Sequence, residues 1–335
     1  MKKVSILICL SLLVMVLYAK DYKGAEIYSK SSWKYGKIEM RMMMAKGDGL
    51  LSTFFTYKNG SELSGAFWEE IDIEVFGKEN AESFQSNIIT NNPKEMSEEI
   101  HSPGYSMGDA YHTYTLEWTP NYVAWYIDGV EMRKTTGGQV ADLTNSQSFR
   151  MNIWAAEWVD WVGTFSEASL PAYQFVNWIS YSAYTPGEGD NGTDFTMDWK
   201  DEFDTFNSTR WATANWTFDG NLVDFSPQNV VVKDGYLVLA ITESSETGYT
   251  GTVPTDVVNG ITNLSSENKF TIYPNPATSK IIIDGADNLT EWKVFNIQGV
   301  QLQEGKGETL FIHELKKGAY IIQVGETSLL FMKQD

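Results

Sequence analysis

The segment WEEIDIEVFG, at residues 68–77, decides how this chain is expected to fold. In a β-strand, successive side chains point to opposite faces of the sheet. Glu70, Asp72 and Glu74 would therefore share one face, while the two isoleucines and the valine that alternate with them occupy the other. An apolar face behind a polar one predicts a strand that covers a hydrophobic core with one side only.

Similar strand patterns extend in both directions from this segment. Runs rich in β-branched and aromatic residues recur between residues 35 and 241, and no helical periodicity interrupts them. Asp-Gly turn pairs separate several runs, at residues 48–49, 128–129 and 234–235. So many strands predict a β-sandwich or barrel rather than alternating helices and strands. We interpret the Gly-rich stretch Pro186–Asp194 as an internal linker between two blocks of strands.

The three carboxylates on one strand face are the candidate catalytic groups. Like charges this close repel each other and should raise the pKa of at least one of them. Retaining hydrolysis of a glycosidic bond needs one ionised carboxylate as nucleophile and one protonated carboxyl as acid, about 5–5.5 Å apart. Glu70 and Glu74 lie roughly 13 Å apart at Cα on an extended strand, but their long side chains could lean together. Asp72 lies between them, where it could hydrogen-bond Glu70.

Two other interpretations of the same face stay open at this point. An amphipathic strand can simply present acidic residues to solvent, although stacked like charges then cost stability without a use. A catalytic zinc site would normally need histidine, and His101, His112 and His313 do not form a ligand pair.

The charge of the chain limits its partners. It carries 44 acidic and 25 basic side chains, a formal net charge of −19, which repels nucleic acid and anionic lipid. A neutral polysaccharide is not excluded. Aromatic residues make up 14% of the chain, and tryptophan faces can stack on sugar rings or fill a core.

The decisive segment resembles the active-site strand of glycoside hydrolase family 16, in particular the lichenases (endo-1,3-1,4-β-glucanases). The likeness continues through YGKIEMRMMMAKGDG, SFQSN, YHTYTLEWTP, MNIWAAEWVDWVG and VNWISY, over residues 24 to 241. The resemblance implies an all-β, concanavalin-like jelly-roll sandwich with Glu70 as nucleophile, Glu74 as general acid/base and Asp72 as assisting carboxylate. The family's laminarinases usually carry one extra residue before the last glutamate, so the uninterrupted EIDIE favours the lichenase branch.

One departure from the family concerns the order of segments. DEFDTFNSTRW and DGYLVLAIT resemble the start of most family domains, yet here they come last, within residues 201–242. This order resembles the circularly permuted lichenases, in which Pro186–Asp194 would join the two usual chain ends.

The resemblance also implies a substrate cleft and a structural calcium ion. The calcium would bind through the backbone carbonyls of Asn177, Glu202 and Gly235, and no cofactor is expected for catalysis. The candidate cleft residues are Phe55, Tyr57, Asn59, Glu62, Trp68, Gln85, Asn87, Trp154, Trp161, Trp211 and Trp216.

The two ends of the chain predict export. Residues 1–19 read as a signal peptide, with a lysine pair before an apolar run that is short for a membrane anchor. The catalytic domain should span residues 20–242 and a Ser/Thr/Gly-rich linker residues 243–267. Residues 268–335 resemble the sorting domain of the type IX secretion system, a small Ig-like β-sandwich; a carbohydrate-binding module is the alternative. We expect a secreted or cell-surface monomer without a membrane span, whose partners are β-glucan and the secretion machinery.

The sequence leaves two rival functions open. An enzyme of the same fold could act on laminarin (an endo-β-1,3-glucanase) or on xyloglucan. A non-catalytic, lectin-like glucan-binding protein would have the same sandwich, although both catalytic glutamates are present here.

Overall fold

The computed structural model describes residues 19–256, 270–296, 301–325 and 327–334, which fall into two compact units, Met1–Thr255 and Asp256–Asp335. The predicted signal peptide therefore lies outside the described residues, apart from Ala19. Within the described ranges, no helix has the length and apolar character needed to cross a membrane.

The first unit is built almost entirely of strands. Over residues 19–255 its α-helices are two single turns, α1 (Gln139–Asp142) and α2 (Val159–Val162), and four short 3-10 turns lie at 79–81, 167–169, 190–192 and 227–229. The strands are β1 (Tyr22–Ser29), β2 (Gly36–Met43), β3 (Leu50–Tyr57), β4 (Trp68–Phe76), β5 (Phe84–Asn91), β6 (Glu95–Met96), β7 (Glu99–His101), β8 (His112–Trp118), β9 (Tyr122–Ile127), β10 (Val130–Thr136), β11 (Ser148–Ala155), β12 (Ala172–Tyr184), β13 (Phe195–Asp201), β14 (Trp211–Thr213), β15 (Val223–Phe225), β16 (Val230–Lys233) and β17 (Tyr236–Glu243).

These 17 strands form one curled sheet with two layers, as the predicted jelly roll requires. One layer runs β14–β1–β11–β3–β4–β5. The other runs β17–β12–β2–β8–β9–β10. Strand β13 pairs with the same edge of β12 as β17 does, further along β12. Strand β1 joins the layers, because Tyr22 pairs with Val223 and Glu243 while Ala25 pairs with Ile153. The all-β prediction is confirmed.

The core lies between the two layers and fixes the orientation of β4. Ile71, Ile73 and Val75 are at most 1% exposed, so the apolar face of the strand points inward as its alternation predicts. From the opposite layer, the buried Trp125 indole donates a 2.9 Å hydrogen bond to the Asp72 carbonyl oxygen. Burying each aliphatic side chain stabilises the fold by about 1.5–3 kcal/mol, which holds the acidic face of β4 outward.

The segment after β17, residues 244–255, packs on the first unit, and we name it the C-terminal strap. Tyr249 and Val253 pack against a cluster that contains Tyr111 and Phe175. The Tyr111 hydroxyl donates to the Pro254 carbonyl at 3.0 Å. The compact unit therefore reaches Thr255, beyond the predicted boundary at residue 242. Residues 257–267 of the predicted linker and the first two residues of the predicted sorting domain lie outside the described residues.

The second unit contains two β-sheets, in agreement with the predicted small sandwich. A three-stranded sheet and a four-stranded sheet enclose a core that includes Ile281, Val294 and Phe331. Its strands are β18 (Thr271–Tyr273), β19 (Lys280–Asp284), β20 (Glu291–Asn296), β21 (Gln301–Lys306), β22 (Thr309–Phe311), β23 (Gly318–Val324) and β24 (Thr327–Lys333).

Candidate active site

The acidic face of β4 lines a cleft of about 750 Å³. Because β3 and β5 flank β4, their registers place Tyr57 opposite Glu70 and Gln85 opposite Glu74. Apart from the three β4 carboxylates, the cleft is lined by Glu26, Thr53, Phe55, Tyr57, Glu62, Trp68, Ile89, Lys94, Arg150, Asn152, Trp154, Trp216, Thr217, Phe218 and Asp219.

Glu70 is surrounded by groups that favour its ionised form. The Trp68 indole donates to Glu70 Oε2 at 2.6 Å, and the Asp72 carboxyl also hydrogen-bonds Glu70. Burial raises the pKa of Glu70 overall, and these hydrogen bonds together with the positive charges of Lys94 and Arg150 limit the rise. Donors and cations aimed at one carboxylate are what a nucleophile at this position needs.

Glu74 is in the opposite electrostatic situation. Burial, followed by repulsion from Glu70 and Glu98, raises its pKa to about 8, and a 3.2 Å hydrogen bond from Gln85 only partly offsets this. Asp72, 3% exposed, also has a pKa well above its usual value because of burial and the charges of Glu70 and Glu74. Hydrogen-bond donors and two cations thus oppose protonation at Glu70, whereas only Gln85 does so at Glu74, whose pKa of about 8 suits an acid. This difference between two carboxyl groups is the one that acid-assisted displacement requires.

Comparison with known proteins bears on the family to which the chain belongs. The model of glycosyl hydrolases family 16 matches residues 10–179. A beta-glucanase of Fibrobacter succinogenes is 51% identical over 241 residues, which cover 71% of this chain and 69% of that protein. The chain belongs to glycosyl hydrolase family 16.

Two further beta-glucanases are less similar to this chain than the Fibrobacter succinogenes protein. A beta-glucanase of Bacillus subtilis is 36% identical over 155 residues, 46% of this chain and 61% of that protein. A solved beta-glucanase from Bacillus licheniformis is 34% identical, with a TM-score of 0.42 over 47% of this chain and 70% of that one. A secretion system C-terminal sorting domain matches residues 271–334. The chain is thus a family 16 glycoside hydrolase with a sorting domain that indicates export.

Six of the predicted cleft residues of this family 16 enzyme lie in the cleft wall, namely Phe55, Tyr57, Glu62, Trp68, Trp154 and Trp216. Trp216 is 37% exposed and offers an open indole face, whereas Trp154 is 6% exposed. The Tyr57 hydroxyl donates to Glu62 Oε2 at 2.6 Å, which fixes the loop after β3 over the cleft.

Four other predicted residues, Asn59, Gln85, Asn87 and Trp161, do not line the cleft but hydrogen-bond to neighbouring groups. Gln85 donates to Glu74 and accepts a 3.0 Å hydrogen bond from the Trp161 indole. Asn59 accepts from Arg150 at 3.0 Å. Asn87 accepts from the backbone N–H of Ser97, at the edge formed by β6.

Trp211 is not a cleft residue, and the prediction for it is wrong. It is 1% exposed and belongs to the core. Its indole donates to Asp201 Oδ2 at 3.0 Å and lies 6.2 Å from the Trp199 ring, edge to face. Its short strand β14 pairs with β1, which turns the side chain inward rather than toward the sugar-binding face.

A polar network on the cleft floor was missed from the sequence. Glu26, 2% exposed, accepts hydrogen bonds from Arg150 at 3.1 Å and from Asn152 at 3.0 Å, and Thr53 donates to Asn152 at 2.5 Å. Burial raises the Glu26 pKa, and Arg150 counteracts this. The alternation of polar and apolar residues in FRMNIW, at residues 149–154, puts Arg150 and Asn152 on one strand face with Trp154. This alternation is the sequence pattern from which the polar network could have been predicted.

Glu69 faces away from the cleft although it adjoins Glu70. Its side chain is fully buried and accepts backbone hydrogen bonds from Thr144 at 2.8 Å and Asn145 at 2.9 Å. These bonds anchor the loop that leads into β11, so this carboxylate is structural.

The three predicted calcium ligands lie at one point of the second layer. Strand β12 pairs through Val176 with Leu237 and through Ile179 with Asp201. Asn177 therefore lies between the ends of β17 and β13, which Gly235 and Glu202 adjoin. A Cβ built on Gly235 would lie 4.0 Å from Asp204 Oδ1, so a carboxylate is close as well. Carbonyl and carboxylate oxygens are the ligands that calcium prefers, and the residues present fit this ion.

Proposed function

We propose that this enzyme hydrolyses internal β-1,4 bonds of mixed-linkage 1,3-1,4-β-glucan with retention of configuration. The observation that carries the proposal is the unequal environment of Glu70 and Glu74 at the base of one aromatic-walled cleft. The Fibrobacter succinogenes and Bacillus subtilis relatives are beta-glucanases, which supports glucan as the substrate class.

The reaction follows from the roles that the two environments favour. Glu70 attacks the anomeric carbon and forms a glycosyl-enzyme, while Glu74 gives its proton to the departing glycosidic oxygen. Glu74, now ionised, takes a proton from water as that water attacks the anomeric carbon and releases Glu70. Asp72 donates a hydrogen bond to Glu70 and keeps its side chain oriented along the strand.

The substrate preference is tested by a panel of polysaccharides. Reducing-sugar release should be largest on lichenan and barley β-glucan, and much smaller on laminarin, xyloglucan and carboxymethylcellulose. Preferred hydrolysis of laminarin or xyloglucan would replace the proposed substrate with one of the two rivals. Binding of glucan without any release would identify a lectin-like protein.

We expect the alkaline limit of kcat/KM to lie near pH 8. Glu74 must be protonated to act as an acid, and its pKa is raised to about 8, so activity falls as pH rises through that value. Glu98→Gln removes a negative charge that contributes to this shift, and should move the limit down by roughly 0.3 pH units. The measurement is the pH profile of both enzymes, with Glu95→Gln as the control. A limit that moves upward in Glu98→Gln would contradict the assignment.

We also propose that the domain is circularly permuted relative to most of its family. The first and last strands of the unit are neighbours, because Lys23 pairs with Thr242 and the Ser244 N–H donates to Asp21 at 2.8 Å. Adjacent termini allow a chain to be opened elsewhere without changing its core. Pro186–Asp194 lies in the connection between β12 and β13, which pair directly. The family match at residues 10–179 ends before these later strands.

A calcium ion at Asn177, Glu202 and Gly235 is proposed to stabilise the fold without entering the reaction. An ion that binds only the folded state stabilises it by mass action, so EDTA should lower Tm by about 5 °C. Activity at moderate temperature should change little, since these residues lie in the layer opposite the cleft. Added calcium should restore Tm, and an unchanged melting curve in EDTA would exclude the ion.

The second unit is proposed to bind the type IX secretion machinery. Its match to a sorting domain supports this partner, and export of the enzyme to the cell surface or medium follows. A monomer is proposed for the exported enzyme.

A further inference from the structure

Trp158 is an exposed tryptophan that neither the catalytic carboxylates nor the core uses. It precedes α2, and 47% of it is exposed. Its ring centroid lies 6.5 Å from that of Trp154, edge to face, and 6.0 Å from that of Trp161. Leaving this much indole in water has a free-energy cost, which a ligand could remove.

The backbone of Gly220 holds the Trp158 indole in place. A Cβ added at Gly220 would lie 2.1 Å from the indole ring, so the ring rests directly on the glycine. Gly220 has a φ of +83°, a conformation that favours glycine. The Glu157 N–H donates to the Gly220 carbonyl at 2.9 Å and ties the two loops together. The indole is therefore pre-positioned in the free enzyme.

The position of Trp158 is continuous with the cleft wall. Trp154, Phe218 and Asp219 all line the cleft, and Gly220 directly follows Asp219. Phe218, 40% exposed, packs against Trp154 with centroids 5.0 Å apart. Trp154 thus contacts both Phe218 and Trp158, so the aromatic contacts are continuous from the cleft lining to the exposed Trp158.

We propose that Trp158 binds an additional sugar residue of a long glucan chain, outside the part of the cleft that holds the reacting bond. This inference rests on the proposed function. A pyranose ring presents an apolar C–H face that fits a fixed indole, and an uncharged ligand does not conflict with the net charge of −19. The same platform makes the enzyme prefer long chains over short ones, because only long chains reach it.

The test compares Trp158→Ala with the wild type on barley β-glucan and on a mixed-linkage oligosaccharide too short to reach Trp158. Binding that is equal in the ground and transition states changes KM and leaves kcat alone. Loss of one stacked ring should raise KM for the polymer about three- to tenfold, with kcat within about twofold. The short oligosaccharide should be hydrolysed equally by both enzymes.

Two further variants separate binding from folding effects. Val159→Ala, which removes a 53% exposed apolar side chain from the adjacent position, should behave as the wild type. Trp158→Phe should keep most of the polymer affinity, because a stacking face remains. An unchanged polymer KM in Trp158→Ala, or an equal rise for polymer and oligosaccharide, overturns the inference while leaving the proposed function intact. A wild type that hydrolyses no glucan overturns both.

Discussion

Glu70→Ala is expected to abolish glucan hydrolysis, with kcat reduced by roughly four orders of magnitude or more. Without the carboxylate, no glycosyl-enzyme can form, and the neighbouring donors and cations have no charge to stabilise. The variant should fold normally. Burial raises the pKa of Glu70 in the folded state above its value in the unfolded chain. Ionisation of Glu70 therefore lowers the free energy of unfolding as pH rises above the unfolded-state pKa. Removing the carboxyl group should leave Tm at pH 7 unchanged or higher.

Azide distinguishes the nucleophile from the acid/base. In Glu70→Ala, azide can occupy the space of the missing carboxylate and attack an activated β-glycoside, which yields the α-glycosyl azide. In Glu74→Ala, Glu70 still forms the intermediate, and azide then gives the β-product. Glu70→Gln is the matched control, since its amide fills the space and should prevent rescue. A β-azide from Glu70→Ala would mean that the two roles are exchanged.

Truncation after Ser245 should destabilise the first unit strongly, whereas truncation after Thr255 should not. The shorter chain loses Tyr249 and Val253 and uncovers their cluster around Phe175. It also loses the 2.8 Å hydrogen bond from the Gly248 N–H to Asn229. Two large apolar contacts and two hydrogen bonds together contribute about 3–5 kcal/mol. Thermal unfolding should therefore show a Tm roughly 10 °C lower for the shorter chain.

A point variant checks that the C-terminal strap acts through its apolar contacts. Tyr249→Ala in the chain ending at Thr255 should reproduce a substantial part of the Tm loss. Thr247→Ala, in the same segment, should have little effect. Equal melting temperatures for the two truncations would show that the strap contributes nothing and would support the boundary at residue 242.

The sequence alone predicts those parts of the fold and of the site that depend on a local pattern of residues. The alternation of Glu70, Asp72 and Glu74 with apolar residues is enough to orient a strand, because one side must cover the core. The sequence does not show that Trp211 is buried, because a tryptophan can equally well fill a core or stack on a sugar ring. Only the pairing of β14 with β1 decides which of the two Trp211 does. The sequence of the C-terminal strap predicts a linker, because its two apolar anchors, Tyr249 and Val253, stand among Ser, Thr and Gly and form no periodic pattern. The position of Arg150 depends on Glu26 of β1 and on Asn59 of the loop after β3, which no local pattern connects.

The pairing of β1 with both layers has a consequence for the order of folding. Residues 22–24 hydrogen-bond to strands near the other end of the unit, while residues 25–28 pair with β11. Contacts between residues so far apart in the sequence make folding slow. The chain between them must close into a loop, at a cost in conformational entropy, before the contacts can stabilise the fold. A chain still emerging from a ribosome or an export channel cannot close its two layers until residue 243 is free. Hydrolytic activity should therefore appear only after the whole unit has been released.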